Sequence, residues 1–206
     1  AEVFYYVRHP NAEKLKQIWA RVMQAAEGAA AGTGTTMDAE IIHGNHSLLP
    51  NESLAAAMHK NLTRVGGVNY SPQERAYAKE ITATLGLDED LSGTEGRIEE
   101  PKMHHGMGST DVGDVSWQVP TAGLRTATWV PGTTPHSWQA IAAGGTSLGA
   151  KGMMVAAKTL ALTVAQLFEE PDLRADARAE FDRRRGKDFK YEALLGDRKP
   201  PLDYRL

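Results

Sequence analysis

Leu15, Ile18, Trp19, Val22, Met23 and Ala26 recur at spacings of three and four, the apolar stripe of an amphipathic helix. Pro10 and Asn11 precede that stripe, and the glycines at 32 and 34 break it. On either side the pattern changes. Residues 1–8, AEVFYYVR, are a β-branched and aromatic run that predicts a strand, and residues 35–43, TTMDAEIIH, read as a second strand by β-branched content and partial alternation. Asn51 caps a predicted helix running to about residue 64, with Leu54, Met58 and Leu62 on one face. The order is therefore strand, helix, strand, helix. Two strands do not make an independently stable sheet, so this stretch reads as half of a small α/β domain, one that the chain enters already inside a strand.

A linker at residues 66–70 leads to SPQERAYAKEITATLG, where Ser71, Pro72 and Glu74 spell a capping box with proline at the first helical position. Residues 86–101 are acidic and glycine-rich and read as a surface loop; they lack the oxygen-ligand spacing of a calcium loop. Residues 124–130, LRTATWV, predict a partly buried strand followed by the turn PGTTPHSWQ. A long helix rich in alanine and methionine is predicted over 149–169, its small side chains suited to close packing, and a second, of mixed charge, over 172–185. The KPPLDY tail is too proline-rich to continue it.

Composition narrows the function classes. The chain has 206 residues, 41% of them hydrophobic, enough for one good core or two modest ones. A formal net charge of −3, with 23 basic and 26 acidic residues interspersed, offers no broad attraction for nucleic acid or an anionic membrane. The expected partner is a small molecule or another protein. The absence of cysteine removes disulfides and thiolate chemistry and fits a reducing, cytoplasmic compartment. No continuous apolar run reaches the roughly 18 residues of a membrane span.

Residues 104–120, HHGMGSTDVGDVSWQVP, concentrate histidine, aspartate, glycine and hydroxyl residues around one tryptophan. No Walker loop, G-x-S-x-G elbow or H-E-x-x-H motif is present. His9, His43, His46 and His59 read as surface or helix-end histidines. His104 and His105 are adjacent, so an extended backbone turns them to opposite sides. His136 differs from all of these: it follows a predicted strand and precedes a Ser-Trp-Gln helix start, an arrangement able to fix an imidazole at the end of a sheet. An unrelated α/β domain using HHGMGST as an anion nest is a competing reading.

The run GSTDVGDVSWQVPTAGLRTATWVPGTTPHSWQAIAAGGTSLGAKGM resembles the C-terminal signature of the p-aminobenzoyl-glutamate utilization protein B-like amidohydrolases, within the dizinc aminoacylase and carboxypeptidase superfamily. AEVFYYVRHP, EGAAAGTGTT and LLPNESLAAAMHKNL resemble the lid, or dimerisation, domain of that family. The resemblance implies an α/β fold: the second half of an α/β sandwich lid domain over residues 1–68, then the C-terminal part of a dizinc exopeptidase-like α/β catalytic domain over 69–206. It also implies that most zinc ligands, and the glutamate general base, belong to an N-terminal segment that this chain lacks.

Residue by residue, the resemblance makes His136 a ligand of one of two zinc ions. Ser109, Thr110 and Asp111 match a G-S/T-x-D segment lining the substrate pocket; a loop tied up by its own side chains is the competing reading there. Arg8 matches the lid arginine that grips the substrate's terminal carboxylate, a task for a bidentate fork; a surface strand arginine is the alternative. The implied reaction is metal-assisted hydrolysis of the amide of an N-acyl or p-aminobenzoyl amino acid or a dipeptide. The chain alone is expected to be inactive, to pair with the missing segment, and to dimerise through the lid. The rival is a non-catalytic dimerisation or binding module derived from the same family.

Overall fold

Helices begin where side chains can cap them. In this computed structural model, which describes all residues except 90, 103–105, 107, 196–198, 201 and 203–206, Asn51 Oδ1 accepts the Leu54 N–H at 3.0 Å and opens α2 (Glu52–Val65). Ser71 and Glu74 form the reciprocal capping box that opens α3 (Pro72–Thr82), and Asn11 opens α1 (Ala12–Thr33), which Gly34 closes in the left-handed conformation at φ 68°. Four more helices follow: α4 (Val112–Ser116), α5 (Trp138–Gly144), α6 (Ser147–Glu169) and α7 (Pro171–Arg185). The predicted helices agree with these to within a few residues, because a cap and a periodic stripe are local properties.

The α/β expectation is overturned. Among the described residues there is no strand and no sheet. The three stretches predicted as strands, 1–8, 35–43 and 124–130, form none. A β-branched sequence favours a pleated surface, yet a ladder forms only against a neighbouring strand. These stretches find none among the described residues, and Val3, Phe4, Tyr5, Tyr6, Ile41 and Ile42 stay exposed.

The chain divides into two units. One comprises Ala1–Leu49, Gly106–Val119 and Arg184–Leu206; the other comprises Pro50–His105 and Pro120–Arg183. In the first, α1 buries none of its residues completely. Its order comes instead from residues 44–49, α4 and the 186–195 segment.

The second unit holds the larger core: Val68, Tyr70, Ala78, Ile81, Val130, Ala143 and Leu148, flanked by Tyr77, Ala127, Ala142 and Val155. Burying a side chain such as Leu148 is worth about 1.5–3 kcal/mol. α6 packs against α2 and α5. Two of its glycines permit that closeness: a Cβ on Gly149 would stand 2.1 Å from the Gly144 carbonyl oxygen, and one on Gly152 2.3 Å from that of Ala127. Asn61 Nδ2 on α2 donates to Thr163 Oγ1 at 3.1 Å and to Gln166 Oε1 at 2.8 Å on α6. The buried Glu180 carboxylate of α7 accepts the Glu52 and Ser53 N–H groups at 2.8 Å each, giving α2 a charged cap at its positive end. By length and composition alone α6 could cross a membrane; Thr159 and Thr163 are buried along it and Asn61 is bonded to it. Its opposite side exposes Met153, Met154, Leu160, Val164 and Phe168 to solvent, with Lys158 among them.

Candidate functional site

The signature 104–120 has two parts with different work, and His104 and His105 lie outside the described residues. From Gly113 onward it is a fastening. Ser116, fully buried, accepts the Leu49 N–H at 2.8 Å through Oγ and donates to the Gly113 carbonyl at 2.5 Å. Trp117 Nε1 donates to the Ser47 carbonyl at 2.7 Å, and its ring lies 4.3 Å from that of Phe189. Asp114 accepts the His46 N–H at 3.3 Å and the Tyr191 hydroxyl at 3.0 Å. Burial, and secondarily that bond to Asp114, raise the Tyr191 pKa.

His46 sits inside this fastening. It is 8% exposed, its ring 5.5 Å from Tyr191 and 6.3 Å from Phe189, and its Nε2 bonds the Glu192 carbonyl at 2.9 Å. A carbonyl only accepts, so Nε2 carries the proton. The surface reading of His46 is thus corrected. The partners come from positions 46, 114 and 189–192, and no local pattern in the sequence connects them.

Ahead of the fastening, Ser109, Thr110 and Asp111 are exposed. Thr110 Oγ1 accepts the Val112 N–H at 3.3 Å, whereas Asp111 stands at the N-cap of α4 without using its carboxylate as a cap. That short turn is held by its main chain, with Gly113 N–H on Thr110 O at 3.2 Å and Asp114 N–H on Asp111 O at 3.0 Å. Hydroxyls and a carboxylate are left facing outward. Arg8 lies in the same unit, exposed on the N-terminal segment.

His136 belongs to the second unit. It is exposed, and among the described residues it alone, apart from glycines, has a positive φ, at 61°. Left-handed backbone costs a side-chain-bearing residue roughly 1–2 kcal/mol, a strain associated with functional positions. Ser137 immediately caps α5, its Oγ accepting the Ala140 N–H at 3.3 Å and donating to the Thr134 carbonyl at 2.7 Å. The imidazole is therefore displayed at the mouth of a rigid turn. Nearby Thr133 Oγ1 is buried without a hydrogen-bond partner.

Zinc takes three or four nitrogen, oxygen or sulfur ligands from protein. No group of three or more candidate ligand residues converges among the described residues. His136 offers one nitrogen, and hydroxyls such as Thr133 are not customary zinc ligands. The described residues do not by themselves compose a zinc site.

A second polar cluster looks chemical but is structural. Glu74 accepts Lys151 Nζ at 2.5 Å, the Ser71 N–H at 2.6 Å and the Ser147 hydroxyl at 2.7 Å. The lysine bond first, then the Ser71 and Ser147 bonds, lower its pKa to about 2. A carboxylate so saturated is a poor base; it pins the start of α3 to α6. Burial, reinforced by Glu95 and Glu74, pushes neighbouring Tyr70 up to about 12. An open depression of about 320 Å³ beside this cluster is lined by Asn69, Ser147, Lys151, Met154 and Lys158, and by none of the candidate residues.

One unit thus carries a fastened signature with an outward hydroxyl and carboxylate turn, the other a strained, exposed histidine, and both occur in a chain related to hydrolases. Two curated relatives bear out the resemblance to amidohydrolases read from its signature. The chain is 34% identical over 205 residues to one subunit of the p-aminobenzoyl-glutamate hydrolase of Escherichia coli (strain K12), covering 87% of this chain and 43% of that protein. It is 26% identical over 184 residues to the Xaa-Arg dipeptidase of Mus musculus, covering 88% of this chain and 36% of that one. The chain therefore spans less than half the length of these curated relatives. No family model matches it, and no solved structure matches it significantly.

Proposed function

We propose that this chain is the C-terminal portion of a metal-dependent amidohydrolase that cleaves the amide bond of an N-acyl or p-aminobenzoyl amino acid, or of a dipeptide. The observation that carries the reading is the match across 87% of the chain to part of a p-aminobenzoyl-glutamate hydrolase. In this reading Arg8 grips the substrate's terminal carboxylate by a two-pronged contact, the 109–111 turn supplies hydroxyl and amide donors to the same end, and His136 supplies one metal ligand. The remaining ligands and the general base come from a further segment of the protein. The exposed apolar side chains of α6, Met153, Met154, Leu160, Val164 and Phe168, are compatible with such an assembly. Its setting is cytoplasmic.

The test is hydrolysis of p-aminobenzoyl-glutamate and of Xaa-Arg dipeptides, by this chain alone and by the chain assembled with the segment carrying the remaining ligands. The reading expects turnover from the assembled protein only, with no stoichiometric zinc retained by the chain alone. Turnover by the lone chain would show that it holds a complete site; no turnover by a folded, metal-loaded assembly would remove the hydrolase reading.

A dimerisation or binding module is the second reading, favoured by one observation: the α1 stripe of Leu15, Trp19, Val22 and Met23 is only half-buried. Pairing of two lids through that helix is compatible with either reading.

A further inference from the structure

The 109–111 turn has little to hold it in place by itself. α4 is five residues long, too short to persist without outside contacts. Its contacts come from Asp114 and Ser116, and Asp114 is shared between two segments: one oxygen takes the His46 N–H and the other the Tyr191 hydroxyl. Through its own N–H, Asp114 also holds the Asp111 carbonyl at 3.0 Å. Tyr191 is seated by the His46 ring, and the adjacent Glu192 carbonyl takes His46 Nε2. A chain of bonds therefore runs from the 189–192 segment through Asp114 to the backbone of the turn.

We propose that Asp114 and Tyr191 are positioning residues for the 109–111 turn, fixing where its hydroxyl and amide groups meet the substrate's carboxylate end. This rests on the reading of that turn as a substrate contact. Binding groups displaced by fractions of an ångström lose affinity although none is removed, and neither Asp114 nor Tyr191 needs to touch the substrate.

Tyr191→Phe deletes one bond and keeps the ring, so two measurements on it are decisive. In the chain alone, hydrogen exchange at the 112–117 amides should quicken while the melting temperature stays within a few degrees. In the assembled hydrolase, KM for p-aminobenzoyl-glutamate should rise about tenfold with kcat within about twofold, and its α-amide analogue should show no comparable change. Asp114→Asn, which keeps an acceptor oxygen, should fall between Tyr191→Phe and Asp114→Ala. Unchanged exchange, or an intact preference for the carboxylate substrate in Tyr191→Phe, would overturn the proposal and leave the hydrolase reading standing. If the unsubstituted hydrolase turned over both substrates but showed no preference, the turn would not be a carboxylate contact, and the proposal would fall with that assignment.

Discussion

Gly113 lies directly beneath His46: a Cβ placed on Gly113 would stand 1.9 Å from the His46 carbonyl oxygen. That oxygen is backbone and cannot turn aside as a flexible side chain would. Gly113→Ala should therefore force α4 and the 44–49 segment apart, at a cost of about 1–3 kcal/mol. Urea unfolding checks this, and Gly106→Ala, with open space around its Cβ, is the control.

Glu74 gives the second unit an acid-sensitive joint. Its folded pKa, about 2, lies below its ordinary value of 4.5, so the folded state binds this proton more weakly than the unfolded chain does. Its contribution to stability is full above the unfolded value and is lost as pH falls through the folded one. The melting temperature of Glu74→Gln should thus lie below that of the unsubstituted chain at neutral pH, and the two curves should converge between about pH 4.5 and 2. A constant gap across that window would contradict the assignment.

Glu180 is another buried carboxylate with a defined task, holding two N–H groups of α2 and the Ser53 hydroxyl. Removing it leaves partly buried donors without those bonds, so Glu180→Ala should cost about 1–3 kcal/mol. Ser53→Ala, which removes one bond and leaves both N–H contacts, should cost less. Chemical denaturation of both variants orders them.

Arg8 separates a clamp from a prop. If it grips the substrate carboxylate, Arg8→Lys in the assembled hydrolase should fail to restore kcat/KM, because an ammonium cannot reproduce the planar fork. The loss should appear with carboxylate substrates and nearly vanish with their neutral amides. Equal loss on both substrate classes in a stable variant would make Arg8 a structural residue of its unit.

The helical half of this chain is legible in its sequence because the signals are local. Asn51, the Ser71 and Glu74 box, and Ser137 cap the helices they announce. The strand expectation fails for the opposite reason: AEVFYYVR and LRTATWV carry the right residues, but pairing depends on a neighbour that composition does not reveal. The candidate site divides in the same way. His136 stands out by its turn, and the structure adds its left-handed backbone. The fastening of His46, Asp114, Tyr191 and Glu192 joins residues up to 146 positions apart, a relation that exists only once the chain is folded.

The most direct test of the central claim is His136→Gly, measured in two settings. Glycine relieves the backbone strain at φ 61°, so the chain alone should unfold at the same or a slightly higher temperature. In the assembled hydrolase the same substitution should lower bound zinc by about one ion per chain and kcat by at least about a hundredfold. Stability held and activity lost is the result the account predicts. An assembled His136→Gly protein that kept its full metal content and its turnover would contradict it.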